Sequence, residues 1–299
     1  LGNLKQNTVR VYTLNIRKHI KPAMGAIKLS ELRPHMVQAF INGLEGLSPA
    51  SIRLAYKVLH MALEKAVRHE YLPRNPASDC VLPKAEQKEI HPLTDEQTAA
   101  LLKASAGSEL EYIITVALFT GLRLSELLGL TWDCIDLKGG RLTVNKQLVR
   151  TDYRKSGVFI SPKNGKPRTI TPAGSVLKIM KKQQIHQLEM RFRAGQIWNN
   201  EHDLVFTSED GSPVDQWRVE KSFKEILVAA NMTGIRFHDL RHTYAVNSIR
   251  AGDDIKTIQG NLGHASAAFT LDRYGHFTER MKQDSAARMD SFISNVLNL

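Results

Sequence analysis

Cysteine is nearly absent: Cys80 and Cys134 are the two in 299 residues, far apart and without a companion pair. That excludes a disulfide framework and the paired spacing of a zinc site, and it fits a reducing, cytoplasmic setting. Long apolar runs are also missing. The longest, YIITVALFTGL at 112–122, falls well short of the roughly 20 residues of a spanning helix, so no membrane span is expected and a buried helix is. No secretory signal opens the chain, and the initial Leu1 in place of Met points to a longer parent with a segment upstream. Acidic residues are outnumbered, 30 against 41 Lys and Arg, for a net charge of +11. A field of that sign concentrates polyanions, with nucleic acid first among them. Apolar residues are not scarce: 42% of the chain is enough to fill one large or two ordinary cores.

Residues 8–72 repeat apolar positions three and four apart in three segments, TVRVYTLNIRKHIKPAMG, LSELRPHMVQAFINGL and SPASIRLAYKVLHMALEKAVRHEYL. Ser48 with Pro49 supplies a cap and first turn for the last of them. The polar, proline-rich stretch after residue 72 lacks periodicity and reads as a linker. The expected organisation is a small helical domain over 1–75, a linker over 76–92, a second domain over 93–281 and a tail helix over 282–299. Residues 1–90 carry 14 Lys and Arg against 7 Asp and Glu, so most of the excess charge sits in the smaller block. Arg10, Arg17, Lys18, Arg53 and Lys57 are its candidates for tracking a phosphate backbone, although an ordinary solvated helix surface accounts for them equally.

The second block opens on LTDEQTAALLKA, where Thr94 and Gln97 form a capping box. Helices dominate it except over 140–172, where apolar and polar residues alternate around Asn164-Gly165, a strong hairpin turn signal. The fold class expected is mainly α with a small antiparallel β-sheet.

Four short signals carry chemistry. In TGLRLSELLGLTW, Arg123 and Glu126 are three apart and so share a helix face. A surface ion pair explains that spacing, but the apolar run before it puts this arginine at the end of a buried helix. In SPKNGKPRTI, Lys163 abuts the turn and Lys166 and Arg168 follow; such residues are usually just solvated, yet a hairpin tip can deliver an ammonium to a phosphate. In FHDLRHTYAVNSIRAG, His238 and Arg241 face one target while Val246 and Ile249 face the core. His238 and His242 have a metal-binding spacing, but neither the Glu of a zinc-protease motif nor a third ligand accompanies them. In NLGHASAAFTLDRYGHF, Gly263 reads as a helix C-cap, Ser266 caps a short new helix and Tyr274 closes it.

Taken in order, Arg123, Lys163 in a hairpin, His238-x-x-Arg241, His264 and Tyr274 ten residues later resemble the tyrosine recombinases, or phage integrase family. The resemblance covers nearly the whole chain and is nearest to integrases of temperate phages and of conjugative transposons of Gram-positive bacteria. It implies a helical core-binding domain and an α+β catalytic domain. It implies a homo-tetramer on double-stranded attachment or transposon-end sites, weakly associated or monomeric when free. Accessory directionality and DNA-bending proteins, and a bacterial, nucleoid-associated location, belong to the same expectation. Such integrases often carry a further N-terminal domain for arm-type sites.

The resemblance implies that the Tyr274 phenolic oxygen attacks a scissile phosphate, leaving a 3′-phosphotyrosyl link and a free 5′-hydroxyl. A phenol of pKa about 10 ionises at neutral pH at a cost of roughly 4 kcal/mol, so neighbouring cations and a proton acceptor are required. Arg123 and Arg241 suit the nonbridging oxygens. Glu126 orients Arg123, Lys163 protonates the leaving oxygen, His238 takes or shares the tyrosine proton, and His264 bonds the phosphate. Lys155 and Lys166 compete with Lys163, and the family's placement before the turn favours Lys163. His242 packs or caps. No metal or cofactor is expected, and no ATP, because the covalent link conserves the phosphodiester energy. The alternatives are a nonenzymatic DNA-binding protein, a type IB topoisomerase-like enzyme and, last, a zinc hydrolase.

Overall fold

The computed structural model describes residue 4 and residues 6–84, 90–149, 157–162 and 165–274. In the tail it describes 286, 289–290, 292–294 and 296–297. The chain divides into two compact units, Leu1–Glu89 and Ile90–Leu299.

The first unit is helical: α1 (Gln6–Asn15), α2 (Lys21–Met24), α3 (Pro34–Asn42) and α4 (Pro49–Arg68). Between α1 and α2 one turn, Ile16–Ile20, widens to π-helical spacing just ahead of Pro22, which has no N–H to continue a regular ladder. Ser48 Oγ accepts from the Ser51 N–H and caps α4. Val37, Phe40 and Ile41 of α3 meet Ala55, Leu59 and Leu63 of α4 in the core, following the three-and-four spacing of the sequence. The unit runs past residue 75. Ala77 is fully buried in that core, with Cys80 and Leu82 packed against it, because Asn75 folds the chain back by accepting from the Ala77 N–H and donating to Glu64.

The second unit holds α5 (Asp95–Ser105), α6 (Glu111–Thr120), α7 (Leu124–Leu128), α8 (Gly174–Ala194), α9 (Gln216–Ala229), α10 (Asp239–Ala251), α11 (Ile255–Leu262) and α12 (Ala267–Tyr274). The Thr94–Gln97 capping box opens α5. The apolar run becomes α6, whose Ile113, Ile114, Val116, Ala117 and Leu118 are buried, and which packs on α8 and α10. Gly121 ends it in the left-handed region at φ +64°, so the chain turns at once into α7.

The strands form two sheets. β1 (Ile135–Asp136), β2 (Arg141–Val144) and β5 (Arg168–Ile170) make one antiparallel sheet in the order β1-β2-β5, while β3 (Gln147–Val149) pairs with β4 (Val158–Ile160). The small antiparallel sheet expected over 140–172 is present as two small sheets, and Asn164 of the expected hairpin turn lies outside the described residues. The Gly165 N–H donates to the Pro162 carbonyl and Gly165 has φ +71°, and the strands before and after, β4 and β5, belong to different sheets. The long-range pairing of β2 with β5 outweighs the local turn signal.

Candidate active site

Two glycine-ended helices and one buried cation set the floor of the site. Arg241, on the first turns of α10, is 2% exposed. Its Nη1 donates to the Gly121 carbonyl at the end of α6 (2.6 Å), and its Nη2 donates to the Leu262 carbonyl at the end of α11. Helix C-termini leave carbonyls unpaired and carry partial negative charge, so a guanidinium between two of them is compensated without a carboxylate. Burial first, then the field of Arg123, lowers Arg241 to about 9, which still leaves it charged at neutral pH. Gly121 is required here: a Cβ would collide with the Tyr244 ring.

Arg123 caps α7. Glu126 Oε2 accepts from the Arg123 N–H (2.9 Å) and Oε1 from Arg123 Nη1 (2.8 Å). The same carboxylate receives both prongs of Arg168, Nη1 at 2.9 Å and Nη2 at 2.8 Å. Burial alone would push the Glu126 carboxyl up; the hydrogen bonds and charge of Arg168, then Arg123, outweigh it and hold the group at about 2. Arg168 also donates from Nε to the Asn261 carbonyl (2.8 Å), which ties β5 to the end of α11. Its role was missed because it was read as a solvated residue after a turn. Strand alternation carried the signal, since Arg168 shares a face with the buried Ile170 while Thr169 points out.

Past Gly263, in the left-handed region at φ +63°, comes His264, whose Nδ1 lies 2.8 Å from Thr270 Oγ1. Ser266 Oγ accepts from the Phe269 N–H at the start of α12, which ends on Tyr274. The Tyr274 ring is 1% exposed, and the His264 ring lies parallel to it at 6.3 Å. The Tyr274 oxygen sits 2.7 Å from Nδ1 of His242, a residue to which the sequence reading gave only packing or capping. Only an i, i+4 relation to His238 marked His242 in the sequence. His238, more exposed, meets the His242 ring edge-on at 5.0 Å.

Arg123, His238, Arg241, His242, His264 and Tyr274 thus line one pocket of about 340 Å³, with Arg273 at its side. Its electrostatics favour a bound anion. Desolvation of the ring, then Arg241, lowers His238 to about 4. Burial, then His238, brings His242 to about 4, and burial, then Arg241 and Arg123, brings His264 to about 3. Burial raises the Tyr274 phenol above its ordinary value, against the pull of Arg241, Arg273 and Arg123. Lys163 and Lys155 lie outside the described residues, and Lys166 is exposed. Arg10, Arg17 and Lys18 are exposed on the first helical stretch and Lys57 on α4; Arg53, also on α4, spends its Nε on the Pro83 carbonyl (2.9 Å). Among the described residues no helix is long and apolar enough to cross a membrane.

A buried phenol, two guanidiniums and three imidazoles share one pocket, a set of groups chemically suited to phosphoryl transfer. Comparison with known proteins gives the same class. Residues 86–281 match the model of the phage integrase family and residues 2–45 that of the phage integrase N-terminal SAM-like domain. The chain belongs to the phage integrase family. It is 29% identical to a tyrosine recombinase XerC-like protein of Caldanaerobacter subterraneus subsp. tengcongensis, over 97% of this chain and 79% of that one. It is 30% identical to an integrase of Streptomyces ambofaciens, over 97% and 76%. Its fold is similar to that of the Tn1549 transposon integrase in complex with transposon right-end DNA (TM-score 0.81, 22% identity, 96% and 95% covered). A lambda integrase dimer bound to a core site is also similar (TM-score 0.70, 19% identity, 93% and 90% covered). The enzyme is a site-specific DNA recombinase that acts on double-stranded DNA.

Proposed function

We propose that Tyr274 is the nucleophile with which this recombinase cleaves DNA, forming a 3′-phosphotyrosyl link and releasing a 5′-hydroxyl. The observation that carries the reading is the single pocket shared by the buried phenol, Arg123, Arg241 and His264. Arg241 is anchored through two donors to helix-end carbonyls and Arg123 through one to Glu126, so each guanidinium meets a phosphate already oriented. His264, with Nδ1 engaged by Thr270, has Nε2 for a phosphate oxygen. His238 at the mouth is a second donor or acceptor toward the phosphate. Lys163, which follows β4 in the sequence and lies outside the described residues, is the general acid for the leaving oxygen. Because the nucleophile lies among its own subunit's arginines, cleavage occurs in cis.

A nicked suicide duplex incubated with the protein tests the reading. The native enzyme gives a covalent adduct on a denaturing gel, in EDTA and without ATP, because side-chain cations carry the charge neutralisation and the covalent link conserves the bond energy. An absolute Mg²⁺ requirement would overturn the metal-free mechanism.

On DNA the working assembly is a homo-tetramer. Met289, Phe292, Ile293, Val296 and Leu297 are all exposed in the tail, as a segment that packs on a neighbouring subunit requires. Its substrates are attachment or transposon-end sites in bacterial, nucleoid-associated DNA, with directionality and DNA-bending proteins as accessories.

A further inference from the structure

The phenolic proton needs a partner, and in the structure that partner is not His238. Nδ1 of His242 is 2.7 Å from the Tyr274 oxygen, and the two residues are 6% and 1% exposed. A hydroxyl sealed from water can lose its proton only to a group in contact with it. We propose that His242 is a catalytic residue that accepts the Tyr274 proton as the tyrosine attacks DNA, an inference that rests on Tyr274 being the nucleophile.

The step balances. The phenolic O–H breaks and its proton moves to Nδ1, while the oxygen's electron pair forms the bond to phosphorus. The bond from phosphorus to the 5′-oxygen breaks, and that oxygen leaves with the electron pair and takes a proton from the general acid. Rejoining runs the same steps backward and returns the Nδ1 proton to the phenol.

The surroundings of His242 suit this use. His238, Asp239 and Arg236 face it from the start of α10, Arg273 and Tyr274 from α12, and His264 from the preceding turn. Their net positive field, with burial, keeps the imidazole neutral and its acceptor nitrogen free for the phenol. An arriving phosphate reverses part of that field and raises the proton affinity of the ring when it is needed. Because the ring is a weak base beforehand, proton transfer is coupled to O–P bond formation and does not precede it. His238, edge-on to His242 at the pocket mouth, is placed for the phosphate side of the reaction.

His242→Asn keeps a polar group near the Nδ1 position but cannot carry the proton. Single-turnover cleavage of the suicide duplex should fall about a hundredfold or more, the ordinary range for losing a general base, with DNA binding on a native gel little changed. A 5′-bridging phosphorothiolate substrate, whose leaving group needs no proton, should fail to restore the rate. Fluorotyrosine at position 274, which ionises more readily, should restore part of it, and help the variant more than the native enzyme. A role limited to holding the ring would show no such selective rescue. Near-native cleavage by His242→Asn, or recovery with the phosphorothiolate, overturns the inference. If thermal melting shows the Asn variant unfolded, His242→Gln is read by the same criteria. An adduct from Tyr274→Phe would instead overturn the nucleophile assignment itself.

Discussion

Glu126 and Arg168 stand 42 residues apart in the chain and meet in a two-pronged ion pair whose carboxylate side is closed to water. The same carboxylate holds Arg123, so a strand residue outside the pocket sets the position of the pocket-lining guanidinium at the head of α7. Removing one member of such a group leaves a buried charge uncompensated.

Arg168→Met keeps the apolar stem and deletes the cation. Stability should drop by roughly 3–5 kcal/mol, the usual cost of breaking a buried pair, and cleavage should fall more than DNA binding because Arg123 loses its reference point. Urea denaturation together with suicide-substrate kinetics checks both; an unchanged midpoint would mean that Arg123 alone satisfies Glu126.

Gly263 allows Arg168 to pass. A Cβ there would sit 2.9 Å from Arg168 Nη1 and 3.0 Å from Cδ, on a backbone at φ +63°. Gly263→Ala should cost about 1–2 kcal/mol from the left-handed backbone alone, plus the displaced ion pair, and should slow cleavage. Gly260→Ala, in the same helix with open space around it, is the control and should be neutral or stabilising by about 0.5–1 kcal/mol. Equal effects at the two positions would contradict the account.

Acid should weaken the free protein in two stages. His242 and His264 fall from an ordinary 6.5 to about 4 and about 3, so the unfolded chain binds protons first. Their contribution is whole above pH 6.5 and is lost as pH falls toward those values. Glu126, held at about 2 against 4.5, adds a contribution that is whole above pH 4.5 and disappears below it. Denaturant midpoints should be flat above pH 7 and decline from about 6.5; equal stability at pH 7 and pH 5 would refute the neutral-imidazole picture.

Tyr274→Phe should bind DNA and form no covalent adduct. Mixed with Arg123→Ala on a two-site substrate, it should stay inactive, because each subunit then lacks part of one pocket. Adduct formation in the mixture would show that the tyrosine serves a neighbour.

Deleting residues 285–299 should leave single-subunit DNA binding intact and remove the larger complexes seen on a native gel. Undiminished higher-order complexes would assign the exposed Met289, Phe292 and Val296 another purpose.

Features that depend on a few adjacent residues could be read from the amino acids. The caps at Ser48 and at Thr94 with Gln97, the burial of α6, and the turn at Gly263 followed by Ser266 and Tyr274 all arise within one or two helical turns. So does the spacing of His238 and Arg241, and the ordered set from Arg123 to Tyr274 carried the family. The turn expected at Asn164-Gly165 includes a residue outside the described ones, and the strands on either side of it pair elsewhere.

The remaining features were fixed by packing. Which imidazole touches the phenol depends on how α10 and α12 meet across 32 residues, and neither helix alone distinguishes His242 from His238. Arg168 became a partner of Glu126 once β5 joined β2 and turned its inward face to α7 and the end of α11. The extent of the first unit followed from a side chain, Asn75, folding the chain back onto its core. Residue type and spacing encode short-range geometry and the kind of chemistry available. Contacts between distant segments come from the simultaneous burial of several faces, where one buried carboxylate or one left-handed glycine selects among arrangements that the linear pattern leaves equal.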